Sequence, residues 1–195
     1  MKKLLSGLFL SFFATVGIAG EVGDFVKNTA EKVNLGINKS KDLKEFSDYM
    51  NNTIVPEDII DFNKLSQSTF GHHWRNLSEE DKPEVVKEYK NFLYRFYVNS
   101  MFKFKNSEIK YRREMIIGEV GRLKTEVYYK EDGERKTATI DYVLNKTPKG
   151  WRISDVVIEG ITLSLSYKDV FSKIINEKGF KGLVQELKAK NNKPI

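Results

Sequence analysis

The pattern of apolar and polar positions divides the chain into three parts. Between Val22 and Met101, apolar residues recur every three or four positions, which is typical of amphipathic helices. From Ile109 they alternate with polar residues, as in strands with one buried face. Helical spacing returns at Tyr167. This order predicts an α+β fold with a helical part over residues 20–105, an antiparallel sheet over 108–165 and C-terminal helices over 166–190.

Beyond residue 20, the most apolar predicted helix begins near Val85. Seven aromatic residues lie between Tyr89 and Phe104, and they fall on more than one side of the helix. A helix that is apolar around most of its circumference is usually covered by several neighbours. The sequence therefore predicts a long central helix against which a curved antiparallel sheet packs its dry face.

The stretch after Trp151 predicts how the sheet ends. Strand-forming residues continue to Ile158, and Gly160 permits a turn. Apolar and polar residues then alternate as far as Leu165, which predicts a short last strand. Helical spacing begins at Tyr167, so we expect the strand to lead directly into a helix.

Residues 1–19 have the composition of a secretory signal peptide. Lys2 and Lys3 precede an apolar run, and Ala19 completes a small-residue cleavage pattern. The run is interrupted by Ser and Gly, and it is shorter than the roughly 20 apolar residues of a membrane-spanning helix. We therefore predict export, cleavage after Ala19 and a single mature domain over residues 20–195.

Charge and cysteine content exclude several classes of protein. The net charge is +6, and it falls to +4 without residues 1–19, which contain two lysines and no acidic residue. This small excess is compatible with an anionic partner surface but lacks the dense basic stripe of a nucleic-acid-binding protein. The chain has no cysteine, which excludes disulfides, thiolate metal sites and a cysteine nucleophile.

Asp155 is the main candidate for chemistry. Strict alternation from Trp151 places it on an apolar strand face, where a carboxylate could act as a general base. The simpler interpretation is an ion pair with Arg152 or a capped helix terminus. His72 and His73 are adjacent, so on a helix they point about 100° apart and do not chelate one metal ion. No nucleophile elbow, P-loop or dinucleotide-binding motif occurs, so we expect no catalysis, no cofactor and no metal site.

An ordered set of residues carries a resemblance to a known family. The set consists of Trp151, Arg152, Asp155-Val156, Glu159-Gly160-Ile161, Leu163, Tyr167-Lys168 and Phe171, with Phe70-Gly71, Trp74-Arg75 and Leu77-Ser78 upstream. It resembles the signature of the MlaC, or toluene-tolerance, family, and the similarity extends from Thr29 to Lys190. The resemblance implies a nuclear-transport-factor-like cone with an apolar interior. It also implies a periplasmic protein that binds phospholipid and works with an ABC transporter.

The resemblance leads to the main functional hypothesis, a carrier without catalysis. Such a carrier would move phospholipid between an outer-membrane lipoprotein complex and an inner-membrane ABC transporter complex, touching membrane surfaces transiently. The acyl chains would lie between the aromatic helix and the dry sheet face, and the head group would stay near basic residues at the mouth. The predicted wall consists of Phe92, Phe96, Met101, Ile117, Val127, Ile140, Tyr142 and Val157.

Two other hypotheses remain open from the residues. One is an isomerase-like or hydrolase enzyme that uses Asp155 on the same cone, and the other is an envelope adaptor whose interior is filled. A cavity large enough for two acyl chains favours the carrier. A small pocket converging on Asp155 favours the enzyme, and the lack of a cavity favours the adaptor.

The first testable prediction concerns processing. If residues 1–19 form a signal peptide, N-terminal sequencing of the protein from the cell envelope should begin at or near Gly20. An intact Met1 terminus in the membrane pellet would contradict cleavage.

Overall fold

The computed structural model describes residues 20–102 and 104–192, so the predicted signal peptide lies outside the described residues. These residues form six α-helices, a short 3-10 helix and five β-strands, which confirms the α+β prediction. In chain order the elements are α1 Glu21–Lys39, α2 Leu43–Thr53, the 3-10 helix Pro56–Asp58, α3 Phe62–Phe70, α4 His72–Arg75, α5 Lys82–Phe102, β1 Glu108–Ile117, β2 Val120–Glu131, β3 Glu134–Thr147, β4 Gly150–Ile158, β5 Ile161–Thr162 and α6 Leu163–Asn191.

The end of the sheet differs from the sequence prediction. Strand β5 stops at Thr162, and α6 begins at Leu163. The predicted strand through Leu165, and a first C-terminal helix that starts at residue 166, are therefore wrong. Leu163 is buried among the helices instead of alternating across the sheet. Helix α6 bends at Gly179, whose φ of 66° is outside the helical range, so two helical segments follow the sheet as expected.

The sheet is an antiparallel meander in the order β1-β2-β3-β4-β5, and it contains two bulges. In β1, Tyr111 pairs with Thr125 but Arg113 pairs with Lys124, so Arg112 is an extra residue. An extra residue reverses the side-chain alternation beyond it, because side chains in a strand have a period of two.

The second bulge lies in β4. Val143 pairs with Asp155 while Leu144 pairs with Ile153, which leaves Ser154 as the extra residue. The Ser154 hydroxyl donates a hydrogen bond to the Val143 carbonyl over 3.2 Å. The residues before and after Ser154 therefore do not follow one alternation.

The apolar core of residues 20–102 and 104–192 consists of three clusters. The first joins α3, α4, α5 and α6, the second joins α1 to the sheet, and the third joins α1, α2 and α5. Their fully buried side chains include Tyr89 and Phe70 in the first cluster, Leu123 in the second and Phe46 in the third. No helix among the described residues combines the length and the hydropathy needed to cross a bilayer.

Helix α1 lies close against the inner face of the sheet. A Cβ atom at Gly121 would lie 2.5 Å from Cγ2 of Val22 and 3.3 Å from the Trp151 ring. Glu21 fixes the start of the helix, because its Oε2 accepts hydrogen bonds from Trp151 Nε1 and Lys146 Nζ, each at 3.0 Å. Both bonds, Trp151's first, lower the pKa of Glu21.

The close approach at Gly121 generates the second prediction. We expect Gly121→Ala to lower the free energy of unfolding by about 1–3 kcal/mol, because the added methyl group overpacks the contact with Val22. Denaturant unfolding measures this change.

The control is the same substitution in a Val22→Ala background. The smaller side chain at position 22 makes room for the methyl group, so the additional cost of Gly121→Ala should shrink. Equal costs in the two backgrounds would show that the contact between Val22 and Gly121 does not limit this position.

Candidate functional site

A cavity of about 140 Å³ lies where the three core clusters meet. Helices α1, α2, α3 and α5 contribute to its wall, together with β3, β4, the first residue of α6 and the segment before α3. Its wall is formed by Thr29, Val33, Met50, Ile54, Pro56, Ile59, Ile60, Phe62, Leu65, Leu93, Tyr94, Tyr97, Val98, Met101, Tyr142, Ile153, Asp155, Val156 and Leu163. The sheet and α5 therefore face each other across this cavity, because the three core clusters surround it without filling it.

Helix α5 divides its aromatic residues between two neighbours. Phe92 packs edge-on against Tyr167 and Phe171 of α6, with ring centroids 5.1 and 5.9 Å apart. Leu93 and Tyr97, one turn apart on another side of the helix, face the cavity. The prediction of a central helix covered on more than one side is confirmed.

Few polar groups lie on the cavity wall, and several of them are already hydrogen-bonded within the protein. The Thr29 hydroxyl donates to the Phe25 carbonyl over 2.9 Å, and the Tyr94 hydroxyl donates to the Ser47 carbonyl over 3.3 Å. These groups therefore offer little to a polar ligand. The rest of the wall is formed mainly by aliphatic side chains and aromatic rings, which suit an apolar ligand.

Two further tyrosines, Tyr97 and Tyr142, line this apolar wall. Burial raises the pKa of Tyr142 to about 12, and it also raises the pKa of Tyr97. Both side chains are therefore neutral at physiological pH. The Tyr97 hydroxyl is buried and has no hydrogen-bond partner among the described residues. Such a group can donate one hydrogen bond to a ligand oxygen that enters the cavity.

Asp155 reaches the cavity, but its carboxylate is bound to the start of α6. The Ser164 hydroxyl donates to Oδ2 over 2.5 Å, and the Ser164 amide donates to Oδ1 over 3.2 Å. The amide of Val156 also donates to Oδ1, over 2.9 Å. A carboxylate at a helix N-terminus is stabilised by the unpaired amides and by the helix dipole. This arrangement matches the capped helix terminus among the sequence interpretations and gives Asp155 a structural role.

Arg152, the alternative ion partner of Asp155, makes other contacts. Its guanidinium lies 3.6 Å from Asp58 and donates hydrogen bonds to the Glu57, Lys149 and Trp151 carbonyls. It therefore fixes the 3-10 helix against the start of β4.

The structure brings part of the predicted lipid wall to the cavity. Met101 and Tyr142 line it. Phe92 instead packs on α6, and Phe96 is exposed beside Tyr167. Val127 is buried in β2 opposite Ala138, away from the cavity wall. That any of these residues contacts lipid remains a prediction.

The remaining predicted wall residues lie in or beside the bulged strands. Ile140 is partly buried and pairs with Thr125 and Ile158. Ile117 is 69% exposed at the end of β1, beyond the bulge at Arg112.

Val157 lies beyond the bulge at Ser154, and Val156 takes its place on the cavity wall. The alternation used in the sequence analysis is thus broken before both Ile117 and Val157. It correctly predicts the inward position of Tyr142, since the pairing of β2 with β3 contains no bulge.

Helices α1, α2 and α3 contribute more of the wall than the sequence analysis assigned. Val33, Met50, Ile54 and Leu65 belong to amphipathic patterns that predict burial, but such patterns do not distinguish a cavity wall from a filled core. Among the described residues, no group of three or more His, Cys, Asp or Glu side chains could hold a metal ion.

Comparisons with known proteins agree with this architecture. The family model described as MlaC protein matches residues 26–189. The chain belongs to the MlaC family. A solved structure of a phospholipid-binding protein from Ralstonia solanacearum, in complex with a phospholipid, is similar with a TM-score of 0.72 and 26% sequence identity. The similarity covers 86% of this chain and 95% of the Ralstonia chain. No curated protein matches the chain.

The cap on α6 generates the third prediction for this MlaC family member. We expect Asp155→Ala to lower the free energy of unfolding by about 1 kcal/mol, because the Ser164 amide and hydroxyl lose their acceptor. Ser164→Ala should also destabilise the fold, and denaturant unfolding of both variants measures the two costs.

The double variant tests whether the two side chains act together. If Asp155 and Ser164 stabilise the fold chiefly through each other, the double variant should cost less than the sum of the single costs. Strict additivity would contradict a direct cap.

Proposed function

We propose that the protein binds phospholipid and holds acyl chain in the cavity between α5 and the sheet. The observation that carries the proposal is an apolar cavity in a chain of the MlaC family whose fold resembles that of a phospholipid-bound protein. The free energy of a hydrocarbon chain falls by about 0.8 kcal/mol for each CH₂ group that leaves water. For a sixteen-carbon chain the total is on the order of 12 kcal/mol. An apolar wall whose polar groups are largely satisfied by the protein provides that environment.

Lipid binding requires the cavity to enlarge. Its volume of about 140 Å³ is below the roughly 300–1,000 Å³ of pockets for drug-sized ligands. Part of one acyl chain fits this space, and two chains require the walls to separate. The sheet belongs to a different core cluster from the α3, α5 and α6 side of the wall. The walls can therefore separate while each cluster keeps most of its own packing.

We further propose that the bound lipid is cargo. On this proposal the protein is periplasmic and carries phospholipid between an outer-membrane lipoprotein complex and an inner-membrane ABC transporter complex. The polar head group stays outside the apolar wall, where basic side chains can meet phosphate. Asp155 is engaged at the helix terminus, which favours binding without catalysis.

The fourth prediction uses two neighbouring valines of β4. We expect Val156→Trp to reduce co-purified phospholipid severalfold, because the indole occupies space on the cavity wall. The matched control is Val157→Trp, since Val157 is also partly buried but is absent from the cavity wall. Native mass spectrometry and lipid extraction of the purified protein measure the bound lipid.

Thermal unfolding must accompany the lipid measurement. Overpacking a filled core costs about 1–3 kcal/mol, whereas filling an open cavity leaves stability nearly unchanged. A wild-type protein that never holds phospholipid would refute the proposal. Equal lipid loss in the Val156 and Val157 variants would show that acyl chains bind elsewhere.

A further inference from the structure

The turn between β1 and β2 carries an exposed apolar tip. Ile117 pairs with Val120 across Gly118 and Glu119, and Gly118 has the positive φ of 58° that such a turn requires. The side chains of Met115, Ile116, Ile117 and Val120 are all exposed, and Ile117 is the most exposed large apolar residue among those described, at 69%. We call residues 115–120 the hairpin tip.

The hairpin tip is apolar on both faces of the sheet. Ile116 pairs with Gly121 on the inner face, whereas Ile117 pairs with Val120 on the outer face. A strand that contributes only to a core is apolar on one face and polar on the other. Helix α1 contacts the sheet at Gly121 through Val22, in its first turn. The hairpin tip therefore extends past the N-terminal end of α1 and is apolar on both faces.

Directly behind the tip, the outer face is basic. Arg122 pairs with Met115, and Arg113 pairs with Lys124, so these three cations share the face of Ile117. Lys124 lies 3.9 Å from the Asp141 carboxylate, whereas Arg113 and Arg122 form no ion pair with a residue that the structure describes. Glu119 is the only acidic residue between positions 115 and 124. Apolar residues followed by a basic band match the two layers of an anionic membrane surface.

The spacing along the strands agrees with the depth of that surface. Strands rise about 3.3 Å per residue, so Arg122 lies roughly 7 Å behind Ile117 and Arg113 lies roughly 13 Å behind it. Interfacial segments bury their apolar side about 5–10 Å into the boundary between head groups and acyl chains. An inserted tip would therefore hold Arg122 at the level of the lipid phosphates, where its guanidinium group binds well, and would hold Arg113 just outside that level.

We propose that the hairpin tip inserts into the surface of a bilayer that contains anionic phospholipid. The inference rests on the proposed function, because a lipid carrier must meet a membrane surface or a membrane complex to exchange its cargo. A protein partner fits this feature less well, because stable protein interfaces bury about 800 Å² on each side. A narrow two-stranded tip offers far less, whereas a bilayer needs no matching surface.

The absence of cysteine allows a direct test of insertion. A single cysteine introduced as Ile117→Cys, in the protein purified in the form that the cell produces, carries an environment-sensitive fluorophore. Ile161→Cys is the matched control, because Ile161 is 64% exposed in β5, at another part of the sheet. Vesicles of phosphatidylcholine with and without phosphatidylglycerol serve as the membrane, and quenching by lipids brominated on the acyl chain reports depth.

With phosphatidylglycerol vesicles, we expect the emission of the label at position 117 to shift to the blue and to be quenched by the brominated lipids. The label at position 161 should not respond. Equal responses at both positions, or none at 117, would overturn the proposal. A label at 117 that is already shielded without vesicles would also overturn it. In that case a second copy of the chain, a protein partner or residues 1–19 cover the tip.

A serine substitution separates this inference from the lipid cavity. We expect Ile117→Ser to weaken sedimentation with phosphatidylglycerol vesicles at least tenfold, whereas Ile161→Ser should leave it unchanged. Both variants should keep the co-purified phospholipid of the wild type, because neither residue lines the cavity. Unchanged sedimentation of Ile117→Ser would refute the hairpin inference and leave the cavity proposal standing. A protein that binds vesicles through the tip but never holds lipid would refute the cavity proposal. Membrane insertion of the tip would then stand, but its assigned role in exchanging lipid would be refuted as well.

Discussion

Strand β4 is fixed to the helical layer at two neighbouring points, and the cavity depends on both. The Ile153 amide donates to the Ile59 carbonyl, and the Asp61 amide donates to the Ile153 carbonyl, each over 2.8 Å. Two residues further on, the Asp155 carboxylate holds the first turn of α6. These bonds fix β4 relative to the helices without side chains that fill the space between the sheet and α5. Polar contacts thus set the position of a wall whose own surface is apolar.

The division of the core explains how such a space can persist. A single close-packed core would bring α5 onto the sheet, because apolar interiors pack to nearly crystalline density. Here Tyr89 and Phe171 are buried in the cluster of α3 to α6, whereas Leu123 and Trp151 are buried under α1. Each cluster therefore buries its apolar residues on its own side of the cavity. If lipid binding widens the cavity, as proposed, this division lowers the cost relative to opening one continuous core.

The sequence predicted most of the architecture but only part of the site. Periodicity identifies the helical layer, the meander and the central helix, because these elements follow the regular periods of helix and strand. It does not separate Phe92 from Tyr97 on α5, since both are aromatic and only their neighbours distinguish them. The start of α6 depends on Asp155, a partner outside the helix, so local spacing places it too late. The bulges at Arg112 and Ser154 have no recognisable sequence signal, and each reverses the predicted orientation of the residues that follow.

The bulge at Ser154 also has a consequence for how the length of this chain can vary. Removing one residue at that point would keep the ladder between β3 and β4 regular, so the sheet itself could tolerate the loss. Val156 would still pair with Tyr142 and keep its inward position, but regular alternation after Ile153 would turn the Asp155 side chain to the opposite face. The carboxylate would then leave Ser164 at the start of α6, although the valine remained on the cavity wall. A deletion here is therefore constrained by the contact between Asp155 and the start of α6, even where the backbone hydrogen bonds of the sheet would accept it.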